Sequence, residues 1–188
     1  KQNTAPTNWN STKKLIILLG ISNAMKYLHE QGILHTDIKP ANIFLDENFH
    51  PYLSGLEWAL SFPFPLEKGT ELDIDGIRGT PLYMAPEMLT FSHITSGIDV
   101  YSFGIMMYQL LTGKGPLYDQ KIKTMNDLRK YILGGLRPEL TDDITEPMKN
   151  LISKCWNGDP DERPTFAEIY QLLSSNFKDY MKSDIDES

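Results

Sequence analysis

From Ile98 to Leu111 the sequence reads IDVYSFGIMMYQLL, apolar nearly all the way round a helix. A helix without a polar side cannot lie on a surface; other elements must surround it. The rest of the chain supplies the cover. Leu18, Ile21, Met25 and Leu28 recur at three- and four-residue steps, with Asn23, Lys26 and Glu30 on another face, the pattern of an amphipathic helix. Ser11 or Thr12 is its expected cap and Gly32 its expected end. Gly113 closes the apolar helix. Three more helices are expected: one from near Thr124 to Gly134, one carrying the stripe Met148, Leu151, Ile152 and Cys155, and one starting at Thr165. The last opens on a T-x-x-E capping box, Thr165 with Glu168, just after Pro164. The fold class read from these patterns is mainly α, α+β overall.

The β part is small. Ile43, Phe44 and Leu45 suit a short strand, Asp46-Glu47-Asn48 a turn, and Pro51 the start of a second strand. Residues 55–96 hold no sustained period and are punctuated by Pro63, Pro65, Gly69, Gly76, Gly79, Pro81 and Pro86. An irregular stretch of that length inside a compact unit is functional or disordered. Residues 1–12 form a polar lead-in, residues 13–178 the folded domain, and residues 179–188 an acidic tail for which no packed structure is expected.

The chain has 188 residues, with 18 Lys and Arg against 25 Asp and Glu, for a net charge of −7. That balance excludes a nucleic-acid binder working through a basic face. No apolar run approaches the ~20 residues needed to span a bilayer. A single cysteine, Cys155, closes no internal disulfide, which places the chain in an intracellular, cytoplasmic setting. His29, His50 and His93 show no metal-ligand spacing with Cys155. The chain opens on Lys1 rather than Met, without a signal-peptide core, and reads as a piece of a longer polypeptide.

The stretch that carries chemistry is His35-Thr36-Asp37-Ile38-Lys39-Pro40-Ala41-Asn42. It is followed in order by Gly79-Thr80-Pro81, Met84-Ala85-Pro86-Glu87, Asp99-Val100-Tyr101-Ser102-Phe103-Gly104, Cys155-Trp156 and Asp161-Glu162-Arg163-Pro164. The first resembles the protein-kinase catalytic loop, H-R-D-L-x-x-x-N, and the second set the end of the activation segment. Together, over roughly residues 15–177, the motifs resemble the large (C-terminal) lobe of a protein kinase, closest to the tyrosine-kinase-like branch of Ser/Thr kinases. The resemblance implies a kinase-like large lobe with a short β element and a long activation segment. It also implies transfer of the ATP γ-phosphate to a Ser or Thr hydroxyl of a protein. In that reading Asp37 is the catalytic base, Lys39 the phosphate clamp and Asn42 a Mg²⁺ ligand. Phe44 is the floor of the nucleotide site, and Thr80 contacts the catalytic Asp on the substrate side. Glu87 and Arg163 form a structural ion pair, and Asp99 receives backbone N–H bonds from the catalytic loop.

Three departures from the family pattern argue for a pseudokinase or truncated kinase. Gly55 stands where the Mg²⁺-binding Asp of D-F-G belongs; Glu57, two residues on, would face the same side in an extended strand. Thr36 replaces the Arg that pairs with a phosphorylated activation loop. No G-x-G-x-x-G or V-A-I-K pattern occurs in the chain, so half the nucleotide cleft is expected to be absent and Mg·ATP binding weak or lacking. The alternatives are an active kinase in a longer parent chain and a protein-binding scaffold. The scaffold would use the helix from Thr124 and the segment from Thr80 to Glu87.

Overall fold

The computed structural model describes residues 10–76, 78–116 and 122–180. Residues 181–188 of the expected tail and most of the polar lead-in lie outside them, while residues 179 and 180 are not tail but the end of a short helix, Tyr180 packing against the core. Helix α1 spans Ser11–Glu30. Its cap is Asn10, not Ser11 or Thr12: the Asn10 side-chain oxygen accepts from the Lys13 N–H at 3.0 Å. An Asn at this position does the same work as Ser or Thr, and it does so one residue earlier. The helix therefore begins inside the segment read as lead-in. Its buried residues include Leu15, Leu18, Ile21, Met25 and His29. Gly32 follows in a left-handed turn (φ +74°), so close to the carbonyls of Phe62 and Phe64 that a side chain would overlap them.

Strand β1, Ile33–Leu34, and β2, Ile43–Leu45, flank the catalytic-loop sequence. Strand β3, Pro51–Leu53, pairs antiparallel with β2, with Ile43 opposite Leu53, Phe44 opposite Tyr52 and Leu45 opposite Pro51. The turn between them is tied by Asp46, whose Oδ1 accepts from the Asn48 and His50 N–H groups, each at 2.8 Å. Strand β4, Leu60–Ser61, pairs antiparallel with β1. That pairing was not visible in the sequence: two-residue strands are too short to show a period of two.

The described residues between 55 and 96 are mostly irregular but packed. Phe62 N–H donates to the Gly32 carbonyl at 2.8 Å, Leu66 N–H to His29 at 2.8 Å, and Leu72 N–H to Ile94 at 2.7 Å. The segment ends in the short helix α2, Pro86–Thr90.

Helix α3, Gly97–Thr112, is the apolar helix, buried continuously from Gly97 to Tyr108 and closed by Gly113 in the left-handed conformation. Helices α4 (Met125–Leu133), α5 (Glu146–Cys155), α6 (Phe166–Ser175) and α7 (Phe177–Tyr180) complete the described chain. Thr165 and Glu168 form the expected capping box. Thr124 forms a second one with Asp127. The α7 turn was not expected. Helix α1 packs on α6, and α3 packs on α5. At the second contact Gly104 lets the helices close in: a β-carbon there would lie 2.9 Å from Cys155 Cβ. Phe103 and His29 both meet the Phe166 ring edge-on, so one aromatic cluster joins α1, α3 and α6. Among the described residues no helix is long and apolar enough to cross a membrane.

Candidate active site

The loop from His35 to Asn42 connects β1 to β2 and hangs from the first turn of α3. Asp99, fully buried, accepts there from three directions. Its Oδ2 takes the His35 N–H at 2.8 Å, and its Oδ1 takes the Thr36 N–H at 2.8 Å. His29 Nε2 lies 3.0 Å from Oδ2. A buried carboxylate costs stability unless it is fully hydrogen-bonded, and this one is. His29 was missed as a site residue. Its signal was its place four residues after Met25, on the buried stripe of α1. His35 adds a second tie: its Nδ1 accepts from the Asp37 N–H at 3.2 Å, and its Nε2 lies 2.9 Å from the Ser54 carbonyl.

With its backbone fixed, the loop presents Asp37, which is only 6% exposed. Lys39 Nζ donates to Asp37 Oδ2 and to Thr80 Oγ1, both at 2.6 Å, and Thr80 Oγ1 donates to Asp37 Oδ1 at 2.7 Å. Asn42 Nδ2 donates to the Asp37 carbonyl at 2.7 Å and to Asp37 Oδ2 at 3.0 Å. Burial pushes the Asp37 carboxyl up, but the hydrogen bonds from Lys39, Thr80 and Asn42, with the Lys39 charge, bring it below the usual carboxylate range. Asp37 is therefore held ionised and can accept a proton or a hydroxyl hydrogen bond near neutral pH. The structure brings Asp37, Lys39, Asn42 and Thr80 together as one hydrogen-bonded unit.

Gly55, two residues past the end of β3, is in the left-handed region at φ +86°. A β-carbon there would overlap the Asn42 amide. The Asn42 side chain thus fills the space a side chain at residue 55 would use. Glu57 is not on an extended strand: it sits on an exposed 3₁₀ turn, Leu56–Trp58. The period-two argument placing it on the same side as residue 55 does not apply. Phe44 and Tyr52 are cross-strand neighbours on one face, 61% and 60% exposed. Among the described residues no group of three or more His, Cys, Asp or Glu is arranged to hold a metal.

Glu87 and Arg163 meet away from this loop, both buried. Arg163 donates in a fork to the two Glu87 oxygens, at 2.5 and 2.9 Å, and also to the carbonyls of Gly97 and Asn157, each at 2.9 Å. Its guanidinium lies 5.1 Å from the Tyr101 ring centre, and Arg137 lies 5.0 Å from the same ring. The pair ties α2 to α3 and to the turn before α6.

The loop thus hangs from the start of a buried helix and presents an Asp–Lys–Asn set to the end of an irregular segment. The sequence model of the protein kinase domain matches residues 7–174. The chain belongs to the protein kinase family. A probable serine/threonine-protein kinase of Dictyostelium discoideum is 36% identical over 168 residues, covering 89% of this chain and 12% of that protein. A protein kinase and PP2C-like domain-containing protein of Arabidopsis thaliana is 34% identical, over 86% of this chain and 28% of its own. A dual serine/threonine and tyrosine protein kinase of Danio rerio is also 34% identical, over 87% of this chain and 18% of its own. The chain thus spans between about an eighth and somewhat over a quarter of the length of these relatives. As a kinase-family lobe it is mainly α, as expected. The family uses ATP and Mg²⁺ and acts on proteins.

Proposed function

We propose that this chain is the large lobe of a Ser/Thr kinase domain of the tyrosine-kinase-like branch, and that it acts as a pseudokinase or truncated kinase as it stands. One observation carries the reading. At Gly55, the position matched to the Mg²⁺-binding Asp, there is no side-chain oxygen, and the neutral Asn42 amide fills the space. Mg²⁺ prefers hard, charged oxygen donors and near-ideal octahedral geometry. The residues at hand do not fit the family's Mg·ATP cradle.

What the chain's own residues do is separate from the metal. Asp37, ionised and fixed from both sides, accepts the proton of a Ser or Thr hydroxyl. Lys39 carries a positive charge to the same spot and donates to phosphoryl oxygens. Thr80 fixes the Asp37 carboxylate on the substrate side, and Phe44 offers an exposed ring as a flat floor for a base. Glu87, Arg163 and Asp99 hold the frame and touch no reactant. The buried, lone Cys155 and the absence of a membrane-crossing helix among the described residues support an intracellular, cytoplasmic protein.

The intact Asp37–Lys39–Thr80 unit favours a second reading, an active kinase within a longer parent chain. The exposed Leu82 and Met125, on the segment from Thr80 to Glu87 and the helix from Thr124 that the resemblance turns toward proteins, favour a scaffold. The test is an incubation of the 188-residue chain with labelled Mg·ATP and a generic protein substrate. No label transfer is expected. Transfer that is lost in Asp37→Asn would establish an active enzyme instead.

A further inference from the structure

The turn that leads from α5 to Arg163 reads Trp156-Asn157-Gly158-Asp159-Pro160 and holds the one Asn-Gly step in the sequence. Asparagine is a thermolabile residue, and glycine after it has no side chain to keep its own nitrogen away from the Asn amide carbon. Three features of this turn leave that carbon open to attack. Gly158 is exposed, and a β-carbon built on it would meet nothing within 4 Å. The Gly158 N–H makes no hydrogen bond among the described residues. Asn157 Oδ1 accepts the Asp159 N–H at 2.9 Å, a local Asx turn, and that bond draws electron density from the amide carbon. The backbone of the same residue belongs to the buried frame. The Asn157 carbonyl accepts from Arg163 Nε at 2.9 Å, and Arg163, 1% exposed, forks onto Glu87.

We propose that Asn157 is a site of spontaneous deamidation and that its isoaspartyl product loosens the Glu87–Arg163 pair. The Gly158 nitrogen gives up its proton and attacks Asn157 Cγ. A C–N bond forms, the Cγ–Nδ2 bond breaks, and ammonia leaves with that proton, giving a cyclic succinimide. Water then adds to one ring carbonyl and breaks its bond to the Gly158 nitrogen. One water is consumed, one ammonia is released, and nothing is oxidised or reduced. Opening at Cγ gives aspartate, whose backbone carbonyl still faces Arg163. Opening at the backbone carbonyl gives isoaspartate. The chain then runs through Cγ, one carbon longer, and the former acceptor of Arg163 Nε is a free carboxylate. That charge competes with Glu87 for the guanidinium, and the longer path displaces the turn Pro160–Glu162 that leads into Arg163. The inference concerns the frame and stands or falls separately from the function proposed above.

Ageing of the full chain tests it, in mildly alkaline buffer well below the melting midpoint, where the Gly158 nitrogen loses its proton most readily. Peptide mapping by mass spectrometry reads the exchange of NH₂ for OH, and labelling by an isoaspartate-specific methyltransferase reads the linkage. Asn157 should convert, largely to isoaspartate, while Asn150, which precedes Leu151, stays intact. The aged chain should melt several degrees below the fresh one. Gly158→Ala places a methyl group in open space on a backbone that is not left-handed, so it should start at the wild-type midpoint, resist conversion and hold its midpoint on ageing. That control separates residue 157 from the Asp75-Gly76 step. Unaged Asn157→Asp, which keeps the acceptor for Arg163, should melt with the wild type. The proposal is overturned if Asn157 lasts as long as Asn150 or if Gly158→Ala converts as fast as the wild type. It is also overturned if a chain rich in isoaspartate at 157 melts with the fresh one, or if Asn157→Asp melts as low as the aged chain.

Discussion

Arg163 is buried to 1% exposure and gives its donors to Glu87, Gly97 and Asn157. Removing it strands the Glu87 charge in the interior, a loss of about 3–5 kcal/mol. In a chain of this size that is a drop of roughly 10 °C in melting midpoint. Arg163→Ala should show it by calorimetry, and Lys178→Ala, on the terminal turn, should not. A second expectation concerns pH. Asp37 is held below its ordinary value near 3.8 by its partners, so its stabilising contribution is present above about pH 4 and fades as pH falls through the lowered folded-state value. The stability gap between wild type and Asp37→Asn should be largest near neutrality and should shrink below about pH 4. Guanidine titrations across that range measure it. At this scale the sequence was informative where a residue belongs to a motif: Asp37, Lys39, Asn42 and Thr80 lie within hydrogen-bond reach of one another, Glu87 pairs with Arg163, and Asp99 accepts from the His35 and Thr36 N–H groups. It was silent on His29 and on the Thr36 hydroxyl, because their partners, Asp99 and Trp58, lie 70 and 22 residues away.

The long helices and the β2–β3 pair were legible and the two-residue strands β1 and β4 were not, for a physical reason. The stripe of α5 and the capping box of α6 are local patterns, written within a few residues. Strand β4 exists only because β1 is there to pair with it. The same dependence governs residues 55–57. As an isolated extended strand, Glu57 would share a side with residue 55; the left-handed Gly55 instead turns the chain into a 3₁₀ turn and leaves Glu57 in solvent. Gly55→Asp should therefore destabilise the lobe by about 1–3 kcal/mol, since the new side chain must take a left-handed backbone and displace Asn42 from Asp37. A variant melting at or above the wild type would show that Asn42 yields freely. At the far end, Thr165→Ala removes the cap of α6 and should cost about 1 kcal/mol, read as a shift of a few degrees in the same scan.

At the scale of the whole molecule, several large apolar side chains of the described residues stand in solvent, one group of them close in sequence. Phe44, Tyr52, Leu56 and Trp58 are each about half or more exposed, all on β2, β3 and the turn after Gly55. Exposed apolar patches beyond a few hundred Å² mark surfaces that bind partners. A dye that reports apolar surface should bind the isolated chain, and light scattering should show self-association as concentration rises. A dye-negative monomer would contradict that. On the proposed reading Phe44 on this side is the floor for a base, and Gly55 with the neutral Asn42 amide leaves Mg·ATP held too weakly to matter. A ligand at a hundredfold its dissociation constant stabilises a fold by about 2.7 kcal/mol, a shift of several degrees here. The most direct measurement is the melting midpoint of the chain with millimolar ATP, with and without Mg²⁺. The expected change is less than about one degree in either case; a Mg²⁺-dependent rise of several degrees would contradict the pseudokinase reading.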